Sequence, residues 1–177
     1  VLLKYYAGGI PLTASGYYNL RLIAPGIGAK TLLQNVVVAN NFTMSTNNSL
    51  NTNNFNLSVG GNWTSNGTLI ATSGETITFN GTSAQTISNT VGTTTFTGLT
   101  INNTAGVTLT SGTYVLDEVL TLSNGTFNTG GRPFVMTSDA TKTARIAPVT
   151  GTGAVTGNFT VQRYISGRDT TYCDLSS

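Results

Sequence analysis

The sequence predicts an all-β protein, a parallel β-solenoid (β-helix) of short strands with irregular ends. Composition is the first of three observations behind this. The 177 residues include 34 Thr, 19 Asn and 21 Gly, and only 8% are charged. Threonine is β-branched and suits a pleated surface, whereas Asn and Gly tolerate the backbone angles of tight turns. Second, helix periodicity is missing: no window carries apolar residues at i, i+3, i+4 and i+7 between caps. What recurs is a short alternating run closed by Gly or Asn. Third, the pattern of core positions echoes itself. Leu20 and Leu22 fall on Leu99 and Ile101, Phe42-Thr43-Met44 on Leu120-Thr121-Leu122, and Leu50-Asn51-Thr52 on Phe127-Asn128-Thr129, at a shift of about 78 residues. The hydrophobic fraction of 38% argues against disorder.

In chain order, residues 1–16 break the pattern and are expected to be a partial coil or a cap of a truncated preceding unit. Residues 17–139 hold the solenoid repeats, about two units of roughly 78 residues counting flanks. Candidate strands there begin with Asn19-Leu20-Arg21-Leu22, Gln34 to Val38, Phe42-Thr43-Met44 and Phe55 to Val59. Asn62-Trp63-Thr64, Thr68-Leu69-Ile70, Thr76 to Phe79, Gln85-Thr86-Ile87, Thr95-Phe96-Thr97 and Leu99-Thr100-Ile101 come next. The last are Val107-Thr108-Leu109, Tyr114-Val115-Leu116, Val119 to Leu122 and Pro133 to Met136. Each run buries one to three side chains on one face, and Trp63 is read as core. Residues 140–177 are expected to be terminal strands leading into a missing following module.

Strands this short find a physical solution when the chain coils and each strand pairs with its equivalent one coil away. Low charge fits such a stack, because like charges repeated every ~4.8 Å would repel, and Asn at the corners can form ladders. The alternative fold is an antiparallel β-sandwich. Asn-Gly at 66–67, 80–81 and 124–125 would then close hairpins.

The block Thr76-Ile77-Thr78-Phe79-Asn80-Gly81-Thr82-Ser83-Ala84-Gln85-Thr86-Ile87, with Phe96 to Asn103, Gly106 to Leu109 and Leu120 to Gly125 after it, resembles a recurring block of very large proteins of the Bacteroidota. The tail segments Phe159 to Ile165 and Asp174 to Ser177 are similar to the segment on the C-terminal side of those repeats. The resemblance, from about residue 17 onward, implies an adhesin-like repeat region of a secreted or cell-surface protein, a substrate of the type IX secretion system. It implies an extracellular or cell-surface location after crossing the outer membrane. The implied partners are the remaining domains of the same protein, secretion-system or outer-membrane surface proteins, and glycans. No family residue is catalytic, so no active site carries over, and the sorting domain of that system is absent from this sequence.

The residues themselves point to a non-enzymatic chain. There is no histidine, which removes Ser-His-Asp and His–metal chemistry. Of the six acids, Asp117 and Glu118 are adjacent, so on a strand they point to opposite sides. Calcium solenoids carry regular Asp in their turns, and here the turns carry Asn and Thr, so no metal or other cofactor is expected. Stacked Thr-x-Thr elements such as Thr76-Ile77-Thr78 would suit ice binding, but they recur irregularly, so ice binding is a second alternative. The first alternative is a carbohydrate-active or carbohydrate-binding β-helix, whose candidate aromatic contacts are Tyr5, Tyr6, Tyr17 and Tyr18. Thr170, in Asp169-Thr170-Thr171, is a candidate O-glycosylation site, and the lone Cys173 can form no internal disulfide. The net charge of +2, with no Lys or Arg between residues 31 and 131, argues against nucleic acid. No apolar run of about 20 residues is present to insert in a membrane as a helix. The start at Val1 is read as that of a mature or partial chain.

Overall fold

The computed structural model describes residues 11–12, 16–23 and 29–166. These residues contain no helix, hence none long and apolar enough to cross a membrane. Their short runs wind into a parallel β-solenoid of about seven coils. Every strand ladder is parallel; one isolated antiparallel bridge joins Ser138 to Thr143. The antiparallel sandwich is therefore excluded, and the Asn-Gly pairs do not close hairpins. Asn66-Gly67, Asn80-Gly81 and Asn124-Gly125 sit where the chain turns from one parallel strand to the next.

Each coil has three faces. The first is built from β2 (Gly16–Tyr17), β5 (Val36–Val38), β8 (Leu57–Val59) and β11 (Thr76–Phe79). It continues through residues 98–101 of β12 (Gln85–Asn102), residues 119–122 of β13 (Val107–Asn124), and β16 (Arg145–Ile146). The second stacks β3 (Leu20–Leu22), β6 (Phe42–Met44), β9 (Trp63–Ser65), the opening segments of β12 and β13, β14 (Thr126–Asn128) and β17 (Ala154–Thr156). The third begins with β1 (Pro11–Leu12), β4 (Ala29–Leu32), β7 (Ser49–Asn51) and β10 (Thr68–Ile70). Beyond a break it resumes as residues 93–96 of β12, 113–116 of β13, β15 (Phe134–Met136) and β18 (Thr160–Val161). β12 and β13, 18 residues each, bend through corners and so serve all three faces.

The spacing of partners gives the coil length. On the first face Val36 pairs with Leu57, 21 residues on; Leu57 with Ile77, 20 on; Ile77 with Leu99, 22 on; and Leu99 with Leu120, 21 on. Leu120 pairs with Ile146, 26 on, because residues 137–144 form an extended corner. A shift of 78 residues is not a whole number of coils. It carries Leu20, on the second face, to Leu99, on the first. Pairing extends beyond 17–139 in both directions, to Pro11–Leu12 and to Thr160–Val161, so residues 145–161 add a further coil.

The core is a set of columns along the axis. Strands bury alternate side chains, and in-register stacking puts like on like. Val38, Val59, Phe79, Ile101 and Leu122 form one column, and Leu20, Phe42, Trp63, Ile87 and Leu109 another; all are buried. The Phe42 and Trp63 rings stack with centroids 4.0 Å apart, and Phe96 stacks on Tyr114 at 6.2 Å. Burying such side chains stabilises by about 1.5–3 kcal/mol each before the entropy of ordering is counted.

The threonines take the outer positions of this alternation. Thr78, Thr100 and Thr121 form one outward column. No second column accompanies it, since Thr76 lies against Gly98. Likewise Thr108, of Thr108-Leu109-Thr110, lies against Thr86 on one side and Asn128 on the other.

Candidate functional site

Asparagine recurs just before the apolar residue that opens a strand, and the fold turns that recurrence into ladders. Where the first face turns into the second, the Asn41 N–H donates to Asn19 Oδ1 (3.1 Å), the Asn62 N–H to Asn41 Oδ1 (2.8 Å), and the Thr86 N–H to Asn62 Oδ1 (2.8 Å). Before the first face, the Asn56 N–H donates to Asn35 Oδ1 and the Thr76 N–H to Asn56 Oδ1. Each carboxamide oxygen thus caps a backbone donor that the corner would leave without a partner. The amide is oriented as a result: Oδ1 is held by the next coil, and the Nδ2 groups of Asn41 and Asn62 donate to no other described residue.

The same corner is short of side chains. Residues 39–41 and 60–62 each bridge two strands in three residues, and there the coils approach closely. A Cβ on Gly60 would lie 2.4 Å from the Ala39 carbonyl oxygen, and one on Gly61 2.7 Å from the Asn40 carbonyl carbon. One coil further on, the bridge lengthens to five residues, 80–84. Buried Gln85 fastens this longer loop. Its Oε1 accepts from the Gly81 N–H and Asn103 Nδ2, and its Nε2 donates to the carbonyls of Val59 and Gly61.

The result is a groove of about 370 Å³ running across four coils. Tyr18, 63% exposed, stands at one end. Asn40, Asn41, the bare backbone of Gly60 and Gly61, and Asn62 form the floor, and residues 82–85 close the other end. No charged residue lines it.

The four described acids, Glu75, Asp117, Glu118 and Asp139, lie on a different corner, between the third and first faces. Buried Glu75 accepts from the Thr72 N–H at Oε1 and the Thr72 hydroxyl at Oε2. Asp117 accepts from the Thr137 hydroxyl (2.9 Å) and from Lys142 Nζ (3.0 Å), while Glu118 accepts from the Ser73 hydroxyl. Asp117 and Glu118 do point to different neighbours, as the alternation requires. Asp139, fully exposed, accepts from the Thr141 hydroxyl and from the N–H groups of Thr141 and Lys142; these bonds hold its pKa below the ordinary carboxylate value. Asp117 and Glu118 thus fasten one corner to another, whereas Glu75 and Asp139 brace their own corners, and among the described residues no three of His, Cys, Asp and Glu gather where a metal ion could sit.

Of the candidate contacts read from the sequence, Tyr17 is half-buried against the core and Tyr18 reaches the groove. Trp63 is core. Tyr5, Tyr6, Thr170 and Cys173 lie outside the described residues. The groove itself was not foreseen. Its signal was present in Asn19-Leu20, Asn41-Phe42 and Asn62-Trp63, where Asn precedes a buried residue at steps of 22 and 21 residues. Comparisons with known protein families, with curated proteins and with solved structures each find no match to this chain.

Proposed function

We propose that this chain is a non-enzymatic, adhesin-like structural segment of a large secreted or cell-surface protein. There it acts as a stiff, nearly uncharged rod that spaces other domains of the same protein. The observation that supports this reading most is the first face. Parallel pairing runs through it from Gly16 to Ile146 with every coil represented, and the columns beneath it are continuous. Such a stack resists bending because each coil is clamped by backbone bonds to both neighbours. The outer face is solvated by Thr, Ser and Asn rather than by charge, which in-register stacking would penalise. The described carboxylates, engaged in corner hydrogen bonds, favour this reading over a carbohydrate-active one, and the lack, among the described residues, of a second threonine column beside that of Thr78, Thr100 and Thr121 favours it over ice binding. Export by the type IX secretion system belongs to the same proposal and rests on the resemblance of the 76–125 block. Protease treatment of intact producing cells tests it: the segment should be cleaved or found in the medium, and loss of that secretion system should retain it inside the outer membrane. Protection in intact cells with the system working would contradict the proposal.

A further inference from the structure

We propose that the groove spanned by Tyr18 and residues 82–85 is a binding site for a neutral oligosaccharide. This goes beyond the spacer reading and does not depend on it. The chemistry of the lining selects the ligand class. The ladder holds the Oδ1 atoms of Asn41 and Asn62 against the next coil, so what these two side chains offer outward is a pair of N–H₂ donors, one coil or about 4.8 Å apart. An apolar ligand would cover these donors without pairing them, and an unpaired buried donor is costly. A charged ligand would be desolvated where no lining residue carries the opposite charge. A neutral polyhydroxylated ligand meets both conditions, because hydroxyl and ring oxygens accept from the amides. One face of a pyranose is made of C–H groups, and Tyr18 supplies an exposed aromatic ring for that face.

The shape agrees with the chemistry. Gly60 and Gly61 cannot carry a Cβ without meeting the coil beside them, so the floor stays flat backbone over which a ring can lie. Tyr18 and Thr82 belong to coils three steps apart, roughly 14 Å, which suits a short oligosaccharide rather than a single sugar. Gln85 and Asn103 fix the loop that forms the far wall, so the site exists before a ligand arrives.

Titration of the protein with cellotetraose, maltotetraose, mannotetraose and tri-N-acetylchitotriose tests the proposal, with tetragalacturonate as the charged counterpart. It is monitored by calorimetry and by ¹H–¹⁵N spectra that include side-chain amides. At least one neutral probe should bind and shift the amide signals of Asn41 and Asn62, and tetragalacturonate should bind more weakly. Tyr18→Ala should weaken binding about tenfold, while Tyr18→Phe keeps it. Asn62→Asp keeps an acceptor for the Thr86 N–H but loses the donor. It should therefore weaken binding with little change in melting temperature. Three results would each overturn the site: no neutral probe shifting these signals at about 10 mM, equal binding of tetragalacturonate, or undiminished binding by folded Tyr18→Ala and Asn62→Asp.

Discussion

Gly60→Ala places one methyl group between two coils, and the outcome can be worked from the geometry. The new Cβ would sit 2.4 Å from the Ala39 carbonyl oxygen, where contacts under 3.0 Å are essentially never seen, so the corner must open by at least ~0.6 Å. The obstacle is backbone and cannot rotate away. Two bonds cross the same gap: Gly60 N–H to the Val38 carbonyl at 2.8 Å, and Gly61 N–H to the Asn40 carbonyl at 2.9 Å. Opening both takes them to the limit of a hydrogen bond, at about 0.5–1.5 kcal/mol each. The reduced freedom of the unfolded chain returns about 0.4–1 kcal/mol. The variant should therefore be less stable by about 1–2 kcal/mol, a fall of about 0.5–1 M in urea midpoint. Gly16→Ala is the matched control. A Cβ there meets nothing within 4 Å and the residue has no positive φ, so the same exchange should be neutral or slightly stabilising. Trp63, three residues after Gly60, reports unfolding by fluorescence. Equal stability of Gly60→Ala and wild type, or equal losses at residues 60 and 16, would refute the close approach.

Other outcomes rest on the same kinds of contact. Asn56→Ala removes the acceptor for the Thr76 N–H and should lower stability by about 1 kcal/mol, with Asn56→Asp losing less; thermal melts compare them. For Asp139 the folded pKa is lowered, so its contribution is present above the ordinary carboxylate value and disappears as pH falls through the folded one. Melting temperatures of wild type and Asp139→Asn should therefore differ slightly at neutral pH and converge in acid. Burial pushes the Tyr114 phenol well above its ordinary value, and its hydroxyl donates to the Ser111 carbonyl at 2.6 Å. Stability should be untouched by this group below pH 10 and decline above it, with Tyr114 ionising, by ultraviolet absorbance, only as the protein unfolds. Pulled by its ends in a force microscope, the rod should release coils one after another, each adding about 65–70 Å of contour for a coil of about 21 residues.

Much of the fold was legible in the alternation of single runs. In Thr76-Ile77-Thr78-Phe79-Asn80-Gly81-Thr82-Ser83-Ala84-Gln85-Thr86-Ile87, the residues Ile77, Phe79 and Ile87 are buried and residues 80–84 turn the corner, as the pattern implies. The repeat length was harder to read. Corners range from the two residues 66–67 to the eight residues 137–144, so successive coils differ in length and no single shift aligns them. All three faces also share the in–out–in grammar, so Leu20 resembles Leu99 although they belong to different faces. Asn-Gly specifies a turn but not the partner of the next strand, and a solenoid corner uses the same residues as a hairpin. Inward polar residues broke the rule that polar means outside. Gln85, Asn103 and Glu75 are buried; Gln85 and Asn103 are satisfied by groups of neighbouring coils that the sequence does not bring together, and Glu75 by Thr72 of its own corner. For that reason the groove was visible only as its Asn ladder and Tyr18.

Deletion of one whole coil tests the stacking account most directly. Removing residues 36–56 joins Asn35 to Leu57, and in the account Leu57 then takes the place of Val36 and Trp63 the place of Phe42. The shortened protein should keep its β circular dichroism, a buried Trp63 fluorescence and a cooperative melt, and its length by X-ray scattering should fall by about 4.8 Å. Removing residues 36–46, half a coil, should abolish all three, because every later strand would face the wrong partner. An unfolded one-coil deletion, or a half-coil deletion that folds as well as wild type, would contradict the account.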